Sequence, residues 1–190
     1  MLSGKGILVF HGCPQIARLS HYFLPQAIRE GKRILYLDGA NRFDPLLLTR
    51  MARQGGDNPS DFKNHVRVAR AFTCFQLTEL LVRAPNFLQS FPAELVILTA
   101  LPELYFDEDV RDADAFASFD KGLRALRRLA GRVPVAVFSD PQSFPASRRK
   151  LFERVRACAG QVWKITEQEN GKLNMASDRS APRALPAARN

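Results

Sequence analysis

The chain has 190 residues, 46% of them hydrophobic and 25% charged, with a net charge of +9 and a sequence pI of about 10.0. Such a length and apolar content suit one globular domain whose core folds without metal or disulfide staples. No apolar run nears the roughly 18 residues of a membrane span.

The short apolar run at residues 7–10 falls short of a secretion signal. Cys13, Cys74 and Cys158 are widely spaced, with no C-x-x-C pair and no Cys/His cluster. They support neither a zinc site nor a disulfide framework, so a reducing cytoplasm is the expected compartment. Charge is uneven along the chain. Residues 1–90 hold 12 Lys/Arg against 6 Asp/Glu, residues 91–140 hold 6 against 9, and residues 141–190 hold 10 against 4. The pattern predicts two faces of opposite sign, with nucleic acid the natural partner of the basic parts. Charge serving only solubility is the alternative.

Residues 6–12, GILVFHG, read as a buried strand. Residues 16–30 follow with Ile16, Leu19, Tyr22, Phe23 and Ile28 at helical spacing. Pro25 interrupts that helix and Gly31 is placed to cap it. Residues 33–37, RILYL, form a second strand closed by Asp38-Gly39. Asp44-Pro45 opens a helix over 46–54, which Gly55-Gly56 stops. Residues 57–64 read as a loop leading to a third strand over 65–72.

Residues 74–82 are expected to be helical, ending before Pro85. The continuous apolar run 95–99, LVILT, suits a parallel strand buried on both faces. Residues 116–130 form an amphipathic helix with Leu123, Leu126 and Leu129 inward and Lys121, Arg124, Arg127 and Arg128 outward. A fifth strand over 133–138 and an Arg-rich helix over 146–157 follow. Segments 161–167 and 172–176, joined by Asn170-Gly171, read as a hairpin. From Ser177 the composition predicts a disordered tail, 177–190. The alternation predicts an α/β fold, a mostly parallel sheet flanked by helices, with a C-terminal hairpin. Ligand chemistry would then lie after Gly12, Asp38, Thr99 and Ser139, at the carboxyl ends of strands.

The first strand-turn-helix occupies the place of a G-x-x-x-x-G-K-[ST] phosphate loop. Counted from Gly12, Ala17 stands at the second glycine, Arg18 at the lysine and Leu19 at the hydroxyl. The next segments carry a resemblance. Tyr36-Leu37-Asp38-Gly39-Ala40-Asn41-Arg42-Phe43-Asp44-Pro45 is similar to the Y-I-D-T-E-G-T-F-R-P run of RecA-type recombinases. Tyr36, Asp38, Phe43 and Pro45 match in register. Asn64 to Ala71 and Gln76 to Leu81 resemble the family's N-I-x-V-A-R-A and Q-L-x-x-L-L.

The resemblance implies a RecA-like P-loop core over 1–176 as a single domain. It implies that Ala40 stands where the family keeps its water-activating glutamate, and Thr99 where the metal-associated aspartate ends the fourth strand. Phosphoryl transfer needs positioned water and stabilised phosphate charge. The expectation is therefore a pseudo-ATPase with no resident cofactor and weak ATP binding at most. The short N-terminal segment argues against filament formation by this chain alone.

Two readings remain open. One is a non-hydrolysing accessory protein of DNA recombination or repair, binding single-stranded DNA, a recombinase or a repair polymerase. The other is a nucleotide-binding regulator or ATPase of the P-loop class in which Arg18 meets phosphate. Candidate DNA contacts are Arg148, Arg149, Lys150 and Arg154, which suit a phosphate backbone, with Phe144 as a base-stacking aromatic. A solvated basic helix face is the alternative for this cluster. The acidic segment 103–120 is expected to be a solvated face or a protein-docking patch. His11 and His21 flank the degenerate loop as structural residues, Cys13 at the amino end of the predicted helix is either a reactive thiol or a buried or turn cysteine, and Asp38 either binds metal or caps its turn.

Overall fold

The structure is a computed structural model that describes residues 4–140, 148–168 and 171–178, with Arg149 described in its backbone only. A seven-stranded sheet runs in the order β3-β2-β4-β5-β1-β6-β7. Its strands are β1 (Ile7–His11), β2 (Ile34–Asp38), β3 (Val66–Arg70), β4 (Leu95–Thr99), β5 (Val135–Ser139), β6 (Gln161–Glu167) and β7 (Leu173–Ser177). All neighbours are parallel except β6 and β7, which pair antiparallel as the expected hairpin. Strands β2, β4 and β5 are buried at every residue. Continuous apolar runs produce this, because both faces of the sheet are covered.

Alternate residues of each strand feed two separate cores. On one face Val9, Leu37, Leu98 and Val137 pack with α5 (Cys74–Ser90), α6 (Asp112–Ala130) and α7 (Arg149–Ala157). On the other, Phe10, Tyr36, Ile97 and Phe138 pack with α1 (Ile16–Leu19), α2 (Leu24–Arg29), α3 (Pro45–Gln54) and α4 (Pro59–His65).

Four elements differ from the sequence reading. The helix expected over 16–30 is three pieces: α1, a 3-10 turn over Ser20–Phe23, and α2. Pro25 sits in the first turn of α2, where its missing N–H costs nothing. Gly31, at φ +73°, closes α2 as the left-handed residue of a Schellman motif. The Lys32 N–H reaches the Ala27 carbonyl and the Gly31 N–H that of Ile28.

The loop expected over 57–64 contains α4. Asn58 caps it by accepting from the Ser60 N–H, Pro59 starts it, and Phe62 is buried. Helix α5 does not end before Pro85 but runs on to Ser90. Leu77, Leu81 and Ala84 are fully buried before the proline, and Phe87 and Leu88 beyond it pack against the same core, which outweighs the bond that proline removes. Ser177 belongs to β7, and Asp178 donates its N–H to the Val162 carbonyl. Ordered structure thus passes the expected boundary at 176. Residues 179–190 lie outside the described residues.

Charge on α6 separates along the helix. Asp112 and Asp114 lie in the first turn and Arg127 and Arg128 in the last, each complementing the helix dipole.

Candidate functional site: the strand ends and the degenerate phosphate loop

Gly12 ends β1 at φ +98°, a conformation that favours glycine. A Cβ there would stand 2.9 Å from the Ile165 carbonyl oxygen and 3.0 Å from Lys164 Cγ. Strand β6 therefore demands this glycine, whatever the loop binds. The loop then turns tightly, with the Ile16 N–H donating to the Cys13 carbonyl at 2.9 Å. Ala17, Arg18 and Leu19 all lie in the four-residue α1, which has no side-chain cap. Leu19 packs on the core. Arg18 is exposed and, with Pro14, Gln15, Ala17 and Arg42, lines a depression of about 210 Å³.

The polar residues just beyond the loop are turned inward. The Ser20 hydroxyl is 2.6 Å from both the Ala17 carbonyl and the Tyr36 hydroxyl. His21 is fully buried. Its Nε2 accepts the Asp44 N–H at 2.9 Å, while Nδ1 donates to the Arg18 carbonyl at 3.0 Å. Both bonds suit a neutral ring, and burial lowers the His21 pKa. The ring ties α1 to the start of α3. Asp44 caps α3 by accepting from the N–H groups of Leu46 and Leu47.

At the ends of β2 and β4 the polar groups form a closed network. Asp38 is fully buried. One carboxylate oxygen accepts from the Arg42 N–H at 3.1 Å and the Thr99 hydroxyl at 3.2 Å. The other accepts from the Phe43 N–H at 2.9 Å, with Arg70 Nε at 3.5 Å. The Thr99 hydroxyl in turn accepts the Ala40 N–H at 3.1 Å. Asp38 thus caps its own turn, one of the two roles read for it. Gly39 passes so close to β4 that a Cβ there would stand 2.6 Å from the Thr99 carbonyl oxygen.

Beside this network, where β4 and β5 end, Glu103 accepts the Asp140 N–H. Its second carboxylate oxygen is buried, and the buried Ser139 hydroxyl lies beside the carboxylate. Burial raises the Glu103 carboxyl to about 7, against the opposing pull of the Asp140 N–H. Glu103 is thus an exception to the solvated acidic face expected over 103–120, whose Asp107, Glu108 and Asp109 are exposed. Sequence reasoning grouped Glu103 with its acidic neighbours. The one available signal is its place four residues past the end of an apolar strand. Among the described residues no group of three or more His, Cys, Asp or Glu gathers as a metal site.

The basic candidates scatter. Arg148 is buried and points inward. It donates to the carbonyls of Tyr105 (2.7 Å), Asp107 (3.1 Å) and Val110 (3.3 Å) and to the Asp112 carboxylate (2.5 Å). It pins the loop between β4 and α6 instead of facing solvent. Lys150 and Arg154 are exposed on α7. Arg154 pairs with Asp120 at 2.6 Å and lies over the Phe119 ring. Phe144 lies outside the described residues. Among the described residues no helix is long and apolar enough to cross a membrane.

A family model described as Rad51 matches residues 13–149, from the degenerate loop to the start of α7. The DNA repair protein RAD51 of Saccharomyces cerevisiae is 32% identical over 111 residues, covering 57% of this chain and 28% of that protein. The DNA repair protein RAD51 of Mycosarcoma maydis is 32% identical over 111 residues, covering 57% of this chain and 32% of that protein. The chain thus spans less than a third of the length of these curated relatives. With the parallel sheet, the loop after β1 and the Tyr36–Pro45 segment in register, the chain belongs to the Rad51 family of RecA-type recombinases.

Proposed function

We propose that this chain is a non-hydrolysing accessory protein of DNA recombination or repair, which engages single-stranded DNA, a recombinase or a repair polymerase. Family membership supports the pathway. The observation that carries the loss of hydrolysis is the Asp38 carboxylate, whose acceptor sites are taken up by Thr99, two backbone N–H groups and Arg70. Phosphoryl transfer needs an open metal position and an oriented water. Here the Thr99 hydroxyl joins the Ala40 N–H to the Asp38 carboxylate, which supports a site without a metal ligand or a general base at those positions. DNA contact falls to the exposed cations Lys150 and Arg154, which act on phosphates by charge and counterion release.

The test is titration of labelled single-stranded DNA followed by fluorescence anisotropy across a salt series, beside a phosphate-release assay with ATP. The reading expects salt-sensitive binding that weakens severalfold in the Lys150→Ala, Arg154→Ala double variant, and no DNA-stimulated ATP turnover. Absence of DNA binding at low salt moves the reading to a protein partner, and turnover of ATP overturns it.

One observation favours the nucleotide reading instead. Arg18 and Arg42 flank the depression over the loop, which suits a phosphate group. That reading expects ATP binding by calorimetry that Arg18→Ala abolishes, and no heat at millimolar ATP ends it.

A further inference from the structure

The two outer strands of the sheet are treated differently. Edge strand β3 carries Arg67 and Arg70 among its five residues, charges that discourage strand addition. Edge strand β7 reads Leu-Asn-Met-Ala-Ser, with no charge, no proline and every residue exposed. Leu173 and Met175 are 48% and 42% exposed.

The direction of the free groups on β7 follows from its pairing. The Asp178 N–H donates to the Val162 carbonyl and the Gln168 N–H to the Lys172 carbonyl, both at 2.8 Å. In an antiparallel ladder, residues bonded to one neighbour alternate with residues that point away. Lys172, Asn174, Ala176 and Asp178 therefore bond toward β6. Leu173, Met175 and Ser177 turn their N–H and C=O groups to the open side.

We propose that β7 pairs antiparallel with β7 of a second copy, about a two-fold axis through Met175, to make a symmetric dimer. That register sets Met175 opposite Met175 of the second copy and Leu173 opposite Ser177. The outward-pointing residues thus meet as hydrogen-bonded pairs, each exchanging two bonds. An axis one residue away also joins outward residues but leaves part of the strand unpaired. The Met175 axis alone uses the whole strand, while the Asp178 carboxylate at its end is turned inward to His11 at 3.0 Å and Arg156 at 2.9 Å.

The apolar surface is continuous with this edge. Met175 shares its face with Ile165 and lines a trough of about 390 Å³ with Tyr22, Phe23 and Leu95. Tyr22 is 62% exposed there. A dimer on this axis doubles that surface across the seam and gives it cover. The inference stands apart from the DNA reading, since it uses none of the cations invoked there.

The test is sedimentation equilibrium of the full chain between about 1 and about 100 µM, where an interface of modest area is populated. The expected result is twice the 21.3 kDa chain mass, falling to one chain mass in Met175→Pro. Among the described residues the Met175 N–H points to the open side of the sheet, so proline at this edge position leaves the fold intact, which circular dichroism checks. Leu173→Lys, which puts charge on the edge, is expected to weaken association at least tenfold and guards against misfolding of the proline variant. A monomeric wild type at the highest concentration overturns the proposal. So does a dimer that survives both substitutions.

Discussion

The Thr99 hydroxyl bridges Asp38 and Ala40, donating to the carboxylate of the first at 3.2 Å and accepting the backbone N–H of the second at 3.1 Å. Strands β2 and β4 are neighbours with Asp38 and Thr99 in register, so one hydroxyl closes the gap at their ends. Thr99 is a neutral hinge of the hydrogen-bond network at these strand ends.

Removing that hydroxyl leaves a buried carboxylate short of a donor and a buried N–H without its acceptor. Thr99→Val is expected to cost about 1–3 kcal/mol, lowering Tm by a few degrees to about 10 °C for a chain of this size. Thr99→Ser, which keeps the hydroxyl, should remain within about 1 kcal/mol of the wild type. Urea denaturation measures both. Equal stability of Thr99→Val and the wild type would show that the bridge contributes nothing.

Arg148 holds three carbonyls and one carboxylate of the segment from Tyr105 to Asp112. Arg148→Met keeps much of the stem but strands those acceptors, at a cost of about 2–4 kcal/mol. Limited proteolysis should then cut near residues 105–112 at least tenfold faster. Arg148→Lys is expected to rescue little, because an ammonium cannot reproduce the planar fork. Wild-type protease resistance in Arg148→Met would remove the clamp from this account.

Two buried groups give the protein opposite responses to pH. Glu103 titrates at about 7 in the fold against an ordinary value of 4.5. Its contribution is therefore full below pH 4.5 and is lost as pH rises through about 7. His21 is pushed below its ordinary 6.5, so its contribution is present above pH 6.5 and is lost as pH falls below it. A protonated ring also cannot accept the Asp44 N–H. Stability measured by chemical denaturation should decline on both the acid and the neutral side. Glu103→Gln is expected to remove the decline between pH 4.5 and 7, so that stability there changes only by the rise toward pH 6.5 that His21 contributes. A Glu103→Gln profile that still falls over that window would assign the neutral limb to other groups.

Much of the architecture was legible in residue order. Apolar runs such as LVILT and VAVFS announce strands buried on both faces, because only a sheet covered twice hides so many consecutive side chains. Asp44-Pro45 announced the start of α3 because the cap and the first-turn proline act locally. Helix α4 was legible in principle, since Asn58-Pro59 has the same form, but the polar residues around it mask the single buried Phe62. The run of α5 through Pro85 was not legible. Local propensity says stop, and the side chains beyond the proline that overrule it, Phe87 and Leu88, act through core contacts the chain order does not reveal.

The same division holds at the site. Residue types alone read Ala17, Arg18, Leu19, Ala40 and Thr99 as departures from a family motif, because a motif is a statement about spacing. Only the tertiary structure decided what those positions do instead. Thr99 meets Asp38 across 61 positions of chain, Gly12 is held by a carbonyl of β6, and Arg148 turns inward to a loop some 40 residues earlier. A charged side chain looks the same in sequence whether it faces solvent or is buried against carbonyls. Burial and pairing depend on which strands and helices become neighbours, and that is settled when the sheet closes its order, not along the chain.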